Sequence, residues 1–210
     1  MLNQDLLKAT HYPGRGFATS KRAFDVVVAV MALPTVGLVA LMLLAINPIS
    51  NRGPLLYFQQ RMGRNCKPFT MVKFRSMSAE GTESDRGPCD PVEERRITPL
   101  GRVLRRTRLD ELPQFLNVLA GDMSLIGPRP DYWDHAIHYL DTVPNYRERH
   151  TVRPGITGLA QVDGGYAEGI HATVEKTRFD MRYIMGLGLR METYVLMRTI
   201  RVVFTGDGAR

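Results

Sequence analysis

The sequence is poor in cysteine and lacks the common glycine-rich phosphate-binding motifs. Its 210 residues include two cysteines, Cys66 and Cys89, which are far apart and form no CxxC pair. This spacing argues against a disulfide scaffold and against a zinc site built on cysteines. No GxGxxG run and no P-loop run occurs, which disfavours the folds built on those motifs. Asn-x-Ser/Thr sequons are also absent, so nothing in the sequence indicates secretion.

Acidic residues are fewer than basic ones. Lys and Arg number 28 against 21 Asp and Glu, which gives a formal net charge of +7. This excess suits anionic partners such as nucleic acid, phosphorylated small molecules or an anionic membrane face. Hydrophobic residues make up 44% of the chain, which excludes global disorder. The length predicts one domain with its own core.

One long apolar stretch stands out. Residues 26–46 contain no charged side chain over 21 positions, and as a straight helix they would reach roughly 32 Å, enough to cross a hydrocarbon core. A signal peptide is disfavoured because the stretch is long and residues 47–50 form a poor cleavage site. A buried core helix of this kind would be unusual in a chain this small. The sequence therefore predicts a membrane segment.

The charges around this segment do not orient it. Four basic residues precede it and four follow it, so the positive-inside rule gives no direction for a spanning helix. Pro34 permits a second arrangement, because a proline removes a helical hydrogen bond and can bend the segment back to the face from which it entered. The residues alone leave spanning and re-entrant courses equally open. The eight basic residues are Lys8, Arg15, Lys21, Arg22, Arg52, Arg61, Arg64 and Lys67.

The rest of the chain predicts a mainly helical α/β unit. Residues 55–60 and 68–74 are short apolar or β-branched runs around a turn with Gly63 and Asn65, which predicts a β-hairpin. Residues 78–91 are polar and predict a mobile loop. Apolar periodicity predicts helices over 112–119 with a stop at Gly121, and over 131–146, 174–184 and 192–204.

Two adjacent carboxylates, Asp110 and Glu111, follow six arginines within residues 95–108. One interpretation is helix capping, with Asp110 as the N-cap, Glu111 near the positive end of the helix dipole and Pro113 in the first turn. The other is a nucleophile and a metal ligand that face a phosphate held by the arginines. Spacing alone leaves both interpretations open.

Three further basic segments could bind phosphate. Arg129 stands between two prolines that fix its backbone, which suits bidentate phosphate binding. Arg153 lies in a similar loop, just before a Pro-Gly pair. Lys73 and Arg75 share one face of a predicted strand. In each case the alternative is an ordinary loop or solvated face.

Taken together, these segments closely resemble the signature of the bacterial sugar transferases, the monotopic polyprenyl-phosphate phosphoglycosyl transferases. Two long runs carry most of the resemblance, and shorter segments extend it to about residues 20–205. The matching segments are DELPQFLNVLAGDMSLIGPRP at 110–130, VRPGITGLAQV at 152–162, QRMG at 60–63, KFRSM at 73–77, and the KRxxD entry formed by Lys21, Arg22 and Asp25.

This resemblance implies an enzyme that transfers a sugar 1-phosphate from a UDP-sugar to undecaprenyl phosphate or another polyprenyl phosphate. UMP leaves, and the product starts an exopolysaccharide, capsule, O-antigen or glycoprotein glycan. The resemblance assigns Asp110 as a nucleophile that forms a covalent phosphosugar intermediate, and Glu111 as a ligand of Mg²⁺, the expected cofactor. The implied substrate-binding residues are Arg61, Lys73, Arg75, Arg129, Arg153, Thr157, Gln161 and Asp180.

The resemblance also implies an organisation and a location. It predicts an N-terminal segment at 1–20, a re-entrant membrane helix at 21–48 broken at Pro34, and a catalytic domain at 49–210 with interfacial amphipathic helices. The expected site is the cytoplasmic face of the bacterial inner membrane, where anionic lipids attract a basic protein. Larger relatives carry four more membrane helices and another domain, so the minimal form is expected here. No nucleic-acid partner is expected, and a homo-oligomer stays open.

Two departures and one alternative accompany the resemblance. Asp163, Gly164 and Gly165 stand where the family commonly has Asn-Gly-Arg, which affects an expected sugar or nucleotide contact, and Glu192 stands near a usual aspartate. The alternative from another class is a membrane-anchored binding protein for anionic partners, with residues 95–108 as its contact. That alternative predicts salt-dependent binding without any need for Asp110.

Overall fold

The computed structural model describes residues 14–51, 53–78, 94–164 and 170–205. Over these residues the fold is mainly helical with two small two-stranded sheets, which confirms the predicted fold class. The helices are α1 (Arg15–Ser50), α2 (Pro99–Arg106), α3 (Gln114–Ala120), α4 (Trp133–Thr142), α5 (Leu159–Asp163), α6 (Ile170–Met185) and α7 (Leu189–Thr205), and the strands are β1 (Leu56–Met62), β2 (Pro68–Phe74), β3 (Ser124–Ile126) and β4 (Gly155–Thr157).

Helix α1 is longer than the predicted membrane segment at 21–48 and is continuous through Pro34 and Pro48. A proline inside a helix removes one hydrogen bond, but the turns on either side keep theirs. The expected break at Pro34 is therefore not an end of the helix in this structure. Over the described residues, α1 is the helix long and apolar enough to cross a membrane by length and composition.

One face of α1 packs against the rest of the chain along its whole length. Asp25, Ala29, Val36 and Leu43 are buried at helical spacing, and Val36 and Leu43 share an apolar cluster with Phe74 of β2. The opposite face leaves large apolar side chains exposed to solvent. Burial of these side chains away from water would be favourable. The exposed apolar residues are Val27, Val30, Met31, Leu38, Leu41, Met42, Leu44, Ile46 and Ile49.

Polar contacts hold both ends of α1 to the globular part. Near its start, Lys21 forms a 2.6 Å ion pair with Glu192 of α7, and the buried Asp25 carboxylate accepts the Leu125 N–H at 3.2 Å. At its end, the Asn51 side-chain amide donates to the Arg75 carbonyl at 2.8 Å. The two ends of the membrane segment therefore contact the same globular unit.

Strands β1 and β2 form the predicted antiparallel hairpin, with Leu56 opposite Phe74 and Met62 opposite Pro68. The connection contains Asn65 with a left-handed φ of 57°, a conformation that asparagine tolerates better than most residues. The hairpin brings Lys73 of β2 toward the arginine-rich segment.

Strands β3 and β4 pair in parallel at the centre of the globular part, with Ser124 beside Gly155 and Ile126 beside Thr157. Leu125 and Ile126 join the main apolar core with residues from α1, α3, α5, α6 and α7. Gly155 has no room for a side chain, because a Cβ there would lie 2.1 Å from the Gly127 nitrogen. Strand β4 and the segment that follows β3 can therefore approach this closely only with glycine at position 155.

Helix α7 exposes apolar side chains along one side. Leu189 is 76% exposed and Met197 is 61% exposed, and Ile200 and Val203 continue the row. An amphipathic helix with this pattern suits a membrane interface.

Several element boundaries differ from prediction, most of all in α4, α6 and α7. Helix α4 covers 133–142 rather than 131–146, because residues 128–132 form the loop that carries Arg129. Helices α6 and α7 begin at Ile170 and Leu189, a few residues before the predicted starts. The predicted mobile loop at 78–91 lies, apart from Ser78, outside the described residues.

Candidate active site

A cavity of about 630 Å³ lies between the β1–β2 hairpin, the arginine-rich segment and the start of α4. This volume falls within the range of about 300–1,000 Å³ that is typical of small-molecule sites. Four of the residues predicted from sequence, Arg61, Lys73, Arg75 and Asp110, meet in its wall. Other polar and aromatic lining residues include Gln59, Arg96, Arg105, Asp131, Tyr132, His135 and Tyr139.

Asp110 lies in a tight 3₁₀ turn over Leu109–Glu111, between α2 and α3. The turn follows Arg108, whose φ of 59° is left-handed and turns the chain toward the cavity. The capping interpretation of Asp110 is wrong, because Pro113 occupies the N-cap of α3 and no side chain caps that helix. Asp110 is only 7% exposed, and its buried Oδ1 has no hydrogen-bond partner among the described residues.

Burial and the neighbouring Glu111 carboxylate raise the pKa of Asp110 above its usual value. The nearby Lys73, Arg105 and Arg129 oppose this shift, because an opposite charge favours the ionised form. A buried polar atom with no partner costs free energy unless a ligand engages it. Asp110 thus combines a buried carboxylate oxygen, which lacks a partner among the described residues, with three nearby basic side chains.

Glu111 and Arg129 form a two-point ion pair at the edge of this group. Arg129 Nη1 lies 3.3 Å from Glu111 Oε2, and Nη2 donates to Oε1. Arg108 adds a weaker 3.8 Å contact. Burial raises the pKa of Glu111, but Arg129 and Lys73 more than offset that effect and lower it to about 2. Glu111 is therefore a carboxylate at any physiological pH.

Lys73 is the titratable cation of the group. Burial and the positive charge of Arg129 lower its pKa to about 7, although Glu111 and Asp110 raise it. An amine with this pKa changes charge within the physiological range, unlike an ordinary lysine. The charge state of Lys73 therefore changes the positive charge of the cavity near neutral pH, while the arginines in its wall stay charged.

A buried ion network holds the loop that carries Arg129. Arg149 is 1% exposed, and its guanidinium contacts Asp131 at 2.6 Å, Asp180 at 2.8 Å and the Arg129 carbonyl at 2.8 Å. Lys176 also pairs with Asp131. Opening the network would leave a buried charge without its partner, which is unfavourable. The hydrogen bond from Arg149 to the Arg129 carbonyl therefore fixes the backbone at Arg129.

Backbone carbonyls hold two of the arginines in the cavity wall, and the other predicted residues lie elsewhere. Arg61 donates to the Pro130 carbonyl at 3.3 Å, and Arg75 Nε donates to the Pro54 carbonyl at 2.7 Å. Thr157 shares a 2.8 Å hydrogen bond with Thr199 of α7. Gln161 lies in the middle of α5 and Asp180 lies in the Arg149 network. Neither is among the described residues that line the large cavity.

Arg153 is separated from the Asp110 group. Its Nε donates to the Gly121 carbonyl at 2.8 Å, and it lines a second, smaller cavity near the start of α1. The sequence places Arg129 and Arg153 in similar loops next to prolines. In the fold, Arg129 pairs with Glu111 beside Asp110, whereas Arg153 lines the second cavity. Neither Arg129 nor Glu111 is among the described residues that line the large cavity.

Sequence reasoning missed Asp131 and Arg149. Asp131 directly follows the Gly-Pro-Arg-Pro run, and a carboxylate beside a rigid arginine loop could have indicated a role there. Arg149 offers no such signal, because its partners at 131 and 180 are distant in sequence and only the tertiary fold brings them together.

The two positions that depart from the family pattern have structural partners. Asp163 accepts from Arg198 Nε at 3.0 Å and from the Tyr194 hydroxyl at 2.9 Å, so its charge is engaged by α7. Glu192 receives Lys21 of α1. Gly165 lies outside the described residues.

Asp110 and Glu111 are the residues that would hold a divalent cation. Within the described residues no group of three or more His, Cys, Asp or Glu side chains could hold a metal ion. Mg²⁺ commonly binds proteins through one or two carboxylates and completes its shell with substrate phosphates and water. The partnerless Oδ1 of Asp110 and the ionised Glu111 are compatible with such a site.

The protein thus combines a long apolar helix, exposed along one face, with a cationic cavity that has a buried carboxylate in its wall. The family model described as bacterial sugar transferase matches residues 17–206. The chain belongs to this family.

Curated relatives agree with this assignment. The chain is 39% identical over 198 residues to a UDP-N-acetylgalactosamine-undecaprenyl-phosphate N-acetylgalactosaminephosphotransferase of Aeromonas hydrophila, covering 94% of this chain and 47% of the relative. It is 39% identical to a UDP-glucose:undecaprenyl-phosphate glucose-1-phosphate transferase of Caulobacter vibrioides, covering 90% and 71%. It is 36% identical to an exopolysaccharide production protein PSS of Rhizobium leguminosarum bv. phaseoli, covering 86% and 92%. The chain thus spans about half of the Aeromonas relative and most of the Rhizobium one.

Proposed function

We propose that this protein transfers a sugar 1-phosphate from a UDP-sugar to undecaprenyl phosphate and releases UMP. The product would be an undecaprenyl-diphosphate sugar, the starting point of a bacterial surface glycan. The relatives' names support this substrate pair. The observation that carries the proposal is Asp110, a buried carboxylate whose Oδ1 has no partner among the described residues and which faces a cationic cavity.

In the first displacement, Asp110 attacks the phosphorus that bears the sugar. An Asp110–phosphorus bond forms, the bond to the bridging oxygen breaks, and UMP leaves with the electron pair. This step needs an ionised carboxylate. Burial and the Glu111 charge raise the pKa of Asp110, whereas Lys73, Arg105 and Arg129 favour its ionised form. These cations also stabilise the leaving phosphate.

In the second displacement, a phosphate oxygen of undecaprenyl phosphate attacks the same phosphorus. The acyl phosphate bond breaks and Asp110 is regenerated as a carboxylate, so the two steps together exchange UMP for undecaprenyl phosphate. Two displacements through an activated acyl phosphate let one site serve a soluble donor and a membrane-bound acceptor.

Positive charge makes these attacks feasible, because donor, acceptor and nucleophile are all anionic. Lys73, Arg61 and Arg105 line the cavity, and Arg129 is fixed beside it by Glu111. Mg²⁺ held by Glu111 and the diphosphate oxygens would add charge neutralisation when bound.

We place the protein on the cytoplasmic face of the inner membrane, with both ends of α1 on the same side. The contacts of Lys21 with Glu192 and of Asn51 with the Arg75 carbonyl support this placement, since they tie both ends to one globular unit. A helix that crossed the bilayer would have to release one of these contacts. The exposed apolar face of α1 would then lie in the acyl chains, with Pro34 as the point of bending.

Cysteine accessibility tests this topology. We expect Ser20→Cys and Ser50→Cys, both exposed positions on α1, to resist an impermeant maleimide in right-side-out vesicles and to react after permeabilisation. The background would carry Cys66→Ser and Cys89→Ser, and Ser20→Cys with Ser50→Cys in one chain is the matched double variant. Labelling of only one position in intact vesicles would contradict the re-entrant course.

Transferase activity is tested with the nanodisc-reconstituted protein, undecaprenyl phosphate and a panel of UDP-sugars. UMP release that requires both substrates supports the proposal and identifies the sugar. The absence of UMP with every donor, together with salt-dependent binding of anions, would favour the binding-protein alternative.

The pH dependence should report Lys73. Its pKa of about 7 means that it is mostly cationic below pH 7 and mostly neutral above it, so its own attraction for the diphosphate is lost as the pH rises. We expect kcat/KM for the UDP-sugar to fall by about tenfold between pH 7 and pH 8.5, since this parameter follows the free enzyme's ionisations. Lys73→Arg should remove this alkaline fall, because an arginine stays charged. A fall of the same size in Lys73→Arg would assign the ionisation to another group.

A further inference from the structure

Basic side chains surround the second cavity, which lies beside the first turns of α1. The cavity has a volume of about 100 Å³, below the range typical of small-molecule pockets, so it suits a single small group rather than a nucleotide. Asp25 is the carboxylate in its wall, and the Leu125 N–H already donates to it. The basic residues are Lys21, Arg22, Arg64 and Arg153.

The three arginines are held in place by carbonyl oxygens. Arg22 donates to the Val118 and Leu119 carbonyls at 2.7 and 3.2 Å, Arg64 Nε donates to the Thr151 carbonyl at 3.2 Å, and Arg153 Nε donates to the Gly121 carbonyl at 2.8 Å. These contacts fix the guanidinium groups without neutralising them as a carboxylate would.

The arginines are close enough to repel one another. Burial lowers the pKa of Arg153, and the positive charges of Arg22 and Arg64 lower it further. Three fixed guanidinium groups around a small space favour an anion, and a phosphate can accept several of their hydrogen bonds at once.

This cavity is separate from the candidate active site. Strands β3 and β4 run parallel; Arg153 precedes β4, whereas Arg129 follows β3 and approaches the Ile156 carbonyl at 3.4 Å. The two arginines therefore lie toward opposite ends of this sheet. A phosphate bound by Arg153 would therefore belong to a different molecule from the diphosphate beside Asp110.

Apolar surface adjoins the cavity on two sides. Phe17 of α1 and Leu187, just before α7, line it, and the exposed apolar faces of α1 and α7 extend away from it. The Lys21–Glu192 ion pair joins these two helices at this point. A ligand that carries a phosphate on an apolar chain fits this combination.

We infer that the second cavity binds the phosphate of an anionic phospholipid of the surrounding bilayer. The bound headgroup would hold the start of α1 at the level of the lipid phosphates. This inference rests on the membrane placement proposed above and does not depend on the chemistry of Asp110.

Native mass spectrometry of the full chain in a neutral detergent tests the inference. The protein is titrated with dioleoylphosphatidylglycerol, with dioleoylphosphatidylcholine and with inorganic phosphate. We expect phosphatidylglycerol to bind most tightly, and Arg153→Gln to weaken it by about tenfold, the effect of losing one charge-assisted contact. Arg64→Gln should weaken it by about threefold, and the matched control Arg178→Gln, on the exposed side of α6, should leave it unchanged.

Equal phosphatidylglycerol affinity in Arg153→Gln and Arg178→Gln would overturn the inference. Equally tight binding of inorganic phosphate, or displacement of phosphatidylglycerol by undecaprenyl phosphate at a hundredfold lower concentration, would also overturn it. If Arg153→Gln fails to fold, as judged by its melting temperature, Arg64→Gln carries the test. A protein that binds phosphatidylglycerol as expected but releases no UMP would contradict the proposed function and leave this inference intact.

Discussion

Asp110→Asn should reduce UMP release by at least about a thousandfold, the scale of loss when a covalent nucleophile is removed. Asparagine keeps the shape of the side chain but cannot form the acyl phosphate. The fold should persist, because the Asp110 side chain caps no helix and its Oδ1 makes no hydrogen bond within the described residues. The measurement is the initial rate of UMP release in nanodiscs with the UDP-sugar that the wild-type protein uses.

One control variant, Asp134→Asn, and one companion variant, Glu111→Gln, accompany this change. Asp134→Asn alters an exposed aspartate of α4 and should retain wild-type activity. Glu111→Gln keeps Asp110 but removes the partner of Arg129, so it should lower the rate and raise the Mg²⁺ concentration needed for half-maximal activity. Near-normal UMP release by Asp110→Asn would exclude the covalent mechanism.

Arg129→Lys should lower kcat/KM by roughly ten- to a hundredfold. A bidentate, charge-assisted contact contributes about 1.5–3 kcal/mol, and lysine cannot reproduce its fork. About 1.4 kcal/mol corresponds to a tenfold change in rate. Arg129 both orients Glu111 and adds positive charge near Asp110, so the substitution affects both functions.

Arg95→Lys is the matched control for Arg129→Lys, because Arg95 is exposed in a short turn before α2. It should change activity by less than about twofold, since an exposed charge is retained. The adjacent Arg96 is unsuitable as a control because it lines the large cavity. Equal losses in Arg95→Lys and Arg129→Lys would mean that a diffuse basic surface, rather than a fixed site, attracts the substrate.

Local sequence signals predicted the parts of the fold that depend on short-range chemistry. The hairpin follows from two β-rich runs around Gly63 and Asn65, and the end of α3 follows from Gly121, whose φ is 93°. The Asp110-Glu111 pair could be singled out because two carboxylates after six arginines form an uncommon pattern. Its burial could not be predicted, since it depends on the hairpin covering the turn.

The features that could not be predicted from the sequence depend on contacts between residues that are distant along the chain. The Arg149 network includes direct contacts between residues up to 45 positions apart, from Asp131 to Lys176. The location of Arg153 depends on Gly121 and the first turns of α1. In α1, the buried face at Asp25, Ala29, Val36 and Leu43 has helical spacing, but a surrounding row of apolar residues concealed it.

Intact-protein mass spectrometry after incubation with the UDP-sugar and Mg²⁺, without undecaprenyl phosphate, tests most directly whether Asp110 is the nucleophile. We expect the wild-type protein to gain the mass of one sugar phosphate, undecaprenyl phosphate to remove it, and Asp110→Asn to gain nothing. An active wild-type protein with no adduct, or an equal adduct on Asp110→Asn, would contradict the assignment of Asp110 as the nucleophile.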